Sequence, residues 1–178
     1  VGRGGSESSA NTNYDLLAFQ FITKPLSAAT LTSGTTFKIQ IAAYEDNAAA
    51  NAKIALFIKH YNSSNALVTE IGSAIGATEV PNGTVLDSIN RTATVTTSGD
   101  ITISNDDYFV FELGLRCVNT KTTTYYVYVV SGYNSAWSDL GENETDAYTD
   151  KNPWIQCSQT LTFYGEAGGS QTISSIDK

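Results

Sequence analysis

The chain has 178 residues, the size of one ordinary domain, and a formal net charge of −8 that opposes binding to nucleic-acid phosphates. Only 16% of the residues are charged, against roughly 25% in an average globular protein. No apolar run approaches the roughly 18 residues of a transmembrane helix, so the sequence predicts neither a nucleic-acid partner nor a membrane partner.

The first segment, residues 1–13 (VGRGGSESSANTN), is rich in Gly, Ser and Asn and predicts a flexible arm. Such a segment has too few apolar side chains to contribute to a core. An arm of this kind can become ordered on a neighbouring subunit, and a frayed terminus is the alternative interpretation.

Alternating or continuous apolar segments follow, separated by turn-forming residues. In KIALFIKHY, Ile54, Leu56, Ile58 and His60 fall on one face of a strand. Residues 71–83 include three glycines and a proline, so we expect a long loop there. The stretch EDNAAAN predicts a loop or one short helical turn. Residues 85–95 are only weakly patterned. The strand-like segments are 14–23, 36–45, 53–61, 66–70, 100–104, 108–118, 123–131 and 154–164.

These segments amount to about eight strands, without a convincing amphipathic helix. Each strand has one apolar face that needs a second sheet to cover it, so we predict an all-β fold, a two-sheet antiparallel β-sandwich of jelly-roll-like type. The domain is expected to span residues 14–164, and the Gly/Ser-rich residues 165–178 form a C-terminal tail.

The residues that could act in catalysis do not form a known catalytic motif. His60, the only histidine, ends a strand. No nucleophile motif such as G-x-S-x-G accompanies it, so a surface histidine at the strand end is preferred over a catalytic base. Glu112 shares a strand face with Arg116 and predicts a cross-strand ion pair rather than a catalytic acid. Cys117 and Cys157 form either a single bridge or two buried thiols.

An acidic stretch near the C-terminus is the strongest candidate for a metal site. Calcium takes six to eight oxygen ligands, but the D-x-[DN]-x-[DN]-G loop pattern is absent, so an exposed, solvated connector is the preferred interpretation. No other cofactor is expected. The candidate calcium ligands are Asp139, Glu142, Glu144 and Asp146.

Two further groups of residues concern glycans. The sequons at Asn62, Asn82, Asn90 and Asn143 lie in predicted turns or loops and matter only if a glycosylating organism exports the protein. The aromatic residues of the C-terminal half are a possible sugar-stacking platform, although sheet packing or a protein contact is preferred. They are Tyr125, Tyr126, Tyr128, Tyr133, Trp137 and Tyr148.

The segments ELGLRCVNT, TTTYYVYVV and WSDLGENETDAYTDKNPWIQCSQTLTF carry a resemblance to a known group of proteins. In this order they resemble a pattern found in uncharacterised virion structural proteins of tailed bacteriophages, with matches at Glu112, Gly114, Arg116, 143–145 and 152–159. The two cysteines depart from that pattern, and their joint occurrence favours a disulfide. The resemblance identifies no catalytic residue.

The resemblance implies a non-enzymatic structural protein on a virion surface, either a capsid decoration protein or a tail or fibre component. Its partners would be copies of itself and other virion proteins. The alternatives are an extracellular, pilus-like filament subunit joined by strand donation, and a secreted carbohydrate-binding module.

Overall fold

Ten strands and two 3₁₀ turns are present in the residues that the structure, a computed structural model, describes: 12–119, 125–130, 139–142, 144 and 152–163. The strands are β1 (Thr12–Ile22), β2 (Ala29–Leu31), β3 (Thr36–Glu45), β4 (Lys53–Tyr61), β5 (Leu67–Glu79), β6 (Ile89–Thr96), β7 (Ile101–Ile103), β8 (Tyr108–Asn119), β9 (Val127–Val130) and β10 (Trp154–Cys157). The 3₁₀ turns are Ala48–Ala50 and Val85–Asp87. No helix in these ranges is long and apolar enough to cross a membrane.

The strands form two larger antiparallel sheets and one small one. Sheet 1 has the order β1-β8-β4-β5. Sheet 2 is centred on β3, which pairs with β6 along one edge, while β10 and β9 follow one another along the other edge. A two-stranded sheet joins β2 to β7.

The inner faces of sheets 1 and 2 share one apolar core, as the alternation of apolar residues along the strands requires. At its centre the Phe37 ring of β3 lies 5.9 Å from the ring of Phe109 and 5.8 Å from that of Phe111, both on β8. Each fully buried side chain of this size contributes roughly 1.5 to 3 kcal/mol. The all-β, antiparallel prediction is confirmed, and the shared core is consistent with a β-sandwich; the jelly-roll connectivity stays a prediction.

The predicted bounds of β3 and β4 are confirmed, but the loop predicted at residues 71–83 is wrong, because β5 continues to Glu79. The glycines that indicated a loop have another role. Gly76 is buried where β5 crosses β6, and a side chain there would overlap the carbonyl oxygen of Thr92. The short strand β2 was not predicted.

The predicted domain boundaries shift slightly at the start of the chain. β1 begins at Thr12, so two residues assigned to the arm belong to a strand. Residues 1–11 and the tail at 165–178 lie outside the described residues.

The outer face of sheet 2 is covered by a second apolar cluster that includes Ala42, Val130, Leu140 and Trp154. The indole Nε1 of Trp154 donates a 2.7 Å hydrogen bond to the carbonyl oxygen of Leu140, and Leu140 N donates to the carbonyl oxygen of Asn152. The segment around Leu140 therefore packs on sheet 2, so the prediction of an exposed connector is wrong at Leu140, whereas the neighbouring Asp139 and Glu142 are exposed.

Candidate functional site

The outer face of sheet 1, which we call the open face, consists of the outward-pointing residues of β1, β8, β4 and β5. Cross-strand pairing places Leu17 beside Gly114, Ile22 beside Val110, and Leu67 beside Tyr61. Leu17, Ile22 and Leu67 are 50%, 63% and 49% exposed. Three large apolar side chains thus remain in contact with solvent on one face.

A groove of about 550 Å³ opens in this face. Leu17, Gly114 and Ala55 lie side by side on β1, β8 and β4, and the two small residues form its floor. Phe57 and Lys59 of β4 also line the groove. The groove forms because Gly114 and Ala55 at its centre are small, whereas Leu17, Phe57 and Lys59 around them are large.

A glycine is required at position 114 because the neighbouring strand β1 has an irregular register there. The register of β1 shifts between Leu17 and Phe19, which brings the carbonyl oxygen of Leu16 close to Gly114. A side chain at Gly114 would overlap that oxygen. The glycine lets the edge strand approach and keeps the floor of the groove low.

Ion pairs cross the strands on the open face. Lys59 Nζ donates to Glu112 Oε2 at 2.8 Å, and Gln20 Nε2 donates to Glu112 Oε1 at 3.2 Å. Glu112 therefore makes a cross-strand ion pair, as predicted. The hydrogen bond with Glu112 raises the pKa of Lys59.

Arg116 and Asp15 form a second pair, with two parallel hydrogen bonds of 2.8 and 2.7 Å from Nε and Nη2 of Arg116 to the two carboxylate oxygens. The hydrogen bonds with Asp15 raise the pKa of Arg116. The bidentate geometry fixes both side chains at the rim of the face.

Charges of the two signs balance on the open face, although the chain carries a net charge of −8. Register and groove lining place three basic and three acidic residues there, while a further acid, Glu79, pairs with Lys53 in the register but has its carboxyl beside that of the buried Glu45. The six are Lys53, Lys59, Arg116, Asp15, Glu70 and Glu112. The excess negative charge of the molecule is therefore located elsewhere.

His60 is not at the surface, and its predicted position is wrong. The side chain is fully buried, and its Nε2 lies 2.8 Å from Asp107 Oδ2. Its ring is also perpendicular to that of Phe109, with the centroids 5.5 Å apart. Burial is the consequence of strand alternation, since His60 points inward with Ile58, on the opposite face of β4 from the groove.

Glu45, at the end of β3, is a second buried ionisable group. Its Oε2 accepts the amide N–H of Ala52 at 2.9 Å, and the carboxyl of Glu79 is a close neighbour. Burial raises the pKa of Glu45 to about 8; the Ala52 amide opposes this rise, and the neighbouring carboxyl of Glu79 reinforces it. With a pKa of about 8, the Glu45 carboxyl is mostly protonated at neutral pH.

The candidate calcium ligands are not brought together by the described structure. Asp139 and Glu142 are exposed, Glu144 contacts β5 and β6, and Asp146 lies outside the described residues. In the ranges that are described, no three His, Cys, Asp or Glu side chains are grouped so that they could hold a metal ion.

Glu144 joins two strands instead. One carboxylate oxygen accepts the amide N–H of Thr92 at 3.0 Å and also the Thr92 hydroxyl, and the other accepts the Thr78 hydroxyl at 2.8 Å. Burial disfavours the ionised form, but the hydrogen bonds from Thr92 and Thr78 outweigh it and lower the pKa of Glu144. Arg91 Nη1 donates to its carbonyl oxygen at 2.7 Å.

The sequons have different environments. Asn62 lies in the turn after β4, where its Oδ1 accepts the amides of Ser64 and Ala66, and Asn82 is exposed. Asn90 does not lie in a loop: it is a buried residue of β6, so a glycan cannot be attached to it in the folded chain. Asn143 is outside the described residues.

The disulfide that the resemblance favoured does not form, and Cys117 and Cys157 are both buried thiols. Cys157 pairs with Phe37, whose ring contacts Phe111 of β8, while Cys117 lies six residues further along β8. Six residues of strand span roughly 20 Å, far beyond the about 7 Å that a disulfide allows between Cα atoms. Burial raises the pKa of Cys157.

The described tyrosines of the C-terminal half do not form a sugar-stacking platform. The ring of Tyr128 stacks on Tyr44 with centroids 4.6 Å apart, and Tyr125 packs against the core, so of these only Tyr126 is exposed. Tyr133, Trp137 and Tyr148 lie outside the described residues.

Sequence reasoning missed the open face, although one signal was present. Phe57 occupies an outward position in KIALFIKHY, between the polar positions Lys53 and Lys59. A large aromatic residue at such a position indicates a surface that is used for contact.

No protein-family model, curated protein or solved structure matches the chain.

Proposed function

We propose that this protein is a non-enzymatic structural component that acts by binding other protein subunits on a virion surface, as a capsid decoration protein or a tail or fibre component. The observation that carries the proposal is the open face. It combines exposed Leu17, Ile22 and Leu67 with charges that balance in sign. Exposed apolar side chains on one sheet face favour a partner that removes them from water.

The placement of the ionisable groups supports a binding role rather than catalysis. Glu112 and Asp15 at the groove are held in ion pairs by Lys59 and Arg116. His60 and Glu45 are enclosed in the sandwich, away from any substrate in the groove. A general acid or base must reach the substrate, and these groups do not.

The virion setting rests on the resemblance of residues 112–163 to phage structural proteins. The C-terminal part of that pattern is structural in this chain, since Trp154 anchors Leu140 and Gln159 accepts hydrogen bonds from Thr32 and Thr35. The pattern thus coincides with residues that hold the segment 152–163 on the sandwich.

Quantitative mass spectrometry of purified particles from the source organism tests this function. We expect the chain at a fixed ratio to a major capsid or tail protein, unchanged by a salt wash. Absence of the chain from every particle fraction would contradict the proposal.

A carbohydrate-binding role is the second candidate, favoured by the presence of Phe57 beside polar residues in the groove. A glycan array would show binding that Phe57→Ala abolishes and Tyr126→Ala leaves intact. Binding to no glycan would exclude this role.

A further inference from the structure

We infer that two copies of this chain dock face to face through their open faces. The twofold axis that relates them lies in the plane of the interface and runs perpendicular to the strands. This inference rests on the proposed function and specifies one of its partners, a second copy. The residues at issue are the outward positions of β1, β8, β4 and β5.

Electrostatics favours a second copy at this face. A chain with a charge of −8 repels its own copies over most approaches, particularly at low ionic strength. On the open face the six charges balance, and four of them are already paired as Lys59–Glu112 and Arg116–Asp15. Two such faces can meet without net repulsion.

The area of the face suits a stable dimer. From Tyr108 to Arg116 the face extends roughly 30 Å along β8, and four strands span roughly 19 Å, giving a projection of roughly 500 to 600 Å². Side chains increase the accessible area beyond this projection, towards the about 800 Å² per partner of a standard interface.

The distribution of side chains selects the axis. An axis parallel to the strands would place Arg116 of one copy over the partner's Lys53, a pair of like charges. An axis perpendicular to the strands exchanges the two ends of the face instead. Arg116 and Lys53 then meet the aromatic end of the partner face, where the rings of Tyr61 and Tyr108 are stacked 5.5 Å apart.

The same axis brings apolar residues together. Leu17 of one copy lies over Ile22 of the other, and Phe57, near the middle of the face, meets its own copy. Glu112 also meets its copy near the axis; this is a pair of like charges, and the Lys59 cation bonded to each carboxylate offsets their repulsion. The exposed apolar residues of β1 are thus removed from water in both copies.

Sedimentation velocity of the purified full chain over a concentration series tests the association. We expect wild type to form dimers, and Leu17→Asp and Ile22→Asp each to raise the dimer dissociation constant at least about tenfold. Leu86→Asp is the matched control, since Leu86 is 83% exposed but lies on the 3₁₀ turn before β6. It should dimerise like wild type.

Cross-linking tests the orientation. Leu17→Cys and Ile22→Cys chains, mixed and treated with a bifunctional maleimide that spans roughly the 10 Å between packed sheets, should give a cross-linked heterodimer. Each variant alone should give far less product, because residue 17 meets residue 22 and not itself. The buried thiols of Cys117 and Cys157 should not react in the folded chain.

A wild-type chain that is monomeric at every concentration, dimers that both Asp variants leave intact, or the absence of the 17–22 cross-link would overturn this inference. These outcomes are separable from failure of the proposed function. A monomeric chain that is still found at fixed ratio in particles retains the structural role and lacks only the self-docking.

Discussion

Asp107 Oδ2 accepts two hydrogen bonds at 2.8 Å, one from the imidazole of His60 and one from the backbone amide of Ser104. The pair joins the end of β4 to the turn before β8, and both side chains are buried. The only histidine of the chain therefore has a structural role, in which it holds a tight turn against the core.

Replacing Asp107 with Ala should destabilise the protein by about 2 to 4 kcal/mol, because His60 and the Ser104 amide would lose a buried partner. Urea denaturation measures this change. Asp100→Ala is the control, since Asp100 caps the Ser33 amide at an exposed turn and should cost about 1 kcal/mol or less. Equal effects of the two substitutions would contradict the role given to Asp107.

Stability should depend on pH through Glu45. Its pKa is about 8 in the folded chain and near 4.5 when unfolded, so between these values the folded state holds the extra proton. The free energy of unfolding should therefore fall as pH rises from 5 to 9, by roughly 2 to 5 kcal/mol from this group.

Glu45→Gln should remove that part of the pH dependence. A glutamine amide imitates the uncharged, protonated carboxyl and still accepts the Ala52 amide N–H. The variant should match wild type near pH 5 and exceed it in stability above pH 8, as measured by urea denaturation across pH. Glu142→Gln removes one exposed charge and should keep the wild-type slope; an unchanged slope in Glu45→Gln would refute the assignment.

Glu144→Ala should loosen the contact between its segment and the edge of β6. Without the carboxylate the Thr92 amide loses its acceptor, so its hydrogen exchange should accelerate at least about tenfold, with a loss of about 1 to 2 kcal/mol in stability. The pKa of Glu144 is lowered in the folded chain. The stabilisation by this carboxylate is therefore fully present at pH values above the ordinary pKa of a glutamate, and it is lost as the pH falls through the lowered pKa. Glu142→Ala should leave the Thr92 amide protected.

Gly114→Ala should cost at least about 2 kcal/mol, because the new methyl group would overlap the backbone oxygen of Leu16, which the β1 pairing holds in place. Gly99→Ala is the control, since nothing lies within 4 Å of a side chain added there. Thermal unfolding of both variants gives the comparison, and similar midpoints would argue against the close approach of β1.

The sequence predicted strands such as β3 and β4, in which apolar residues occupy one face and more polar residues the other. This alternation can be recognised from neighbouring residues alone. Local patterns failed where distant residues decide the structure. Gly72 and Gly76 suggested a loop, yet close approach of β6 explains Gly76 within a long strand. The alternation correctly placed His60 with the inward residues, whereas the expectation of a surface histidine was wrong, because its buried partner Asp107 is 47 positions away in the sequence.

The open face could not be predicted for the same reason. Leu17, Phe57 and Leu67 are separate residues in the sequence, and only the strand order β1-β8-β4-β5 places them on one surface. Charge balance on that surface is likewise a property of the pairing, whereas the composition shows only the overall charge of −8.

Electron cryomicroscopy of the purified particle tests the structural role of the open face most directly. We expect the sandwich at repeated, symmetry-related positions, with protein density from a neighbouring subunit over Leu17, Ile22 and the groove. A particle map in which the open face of every copy points into solvent would contradict that role.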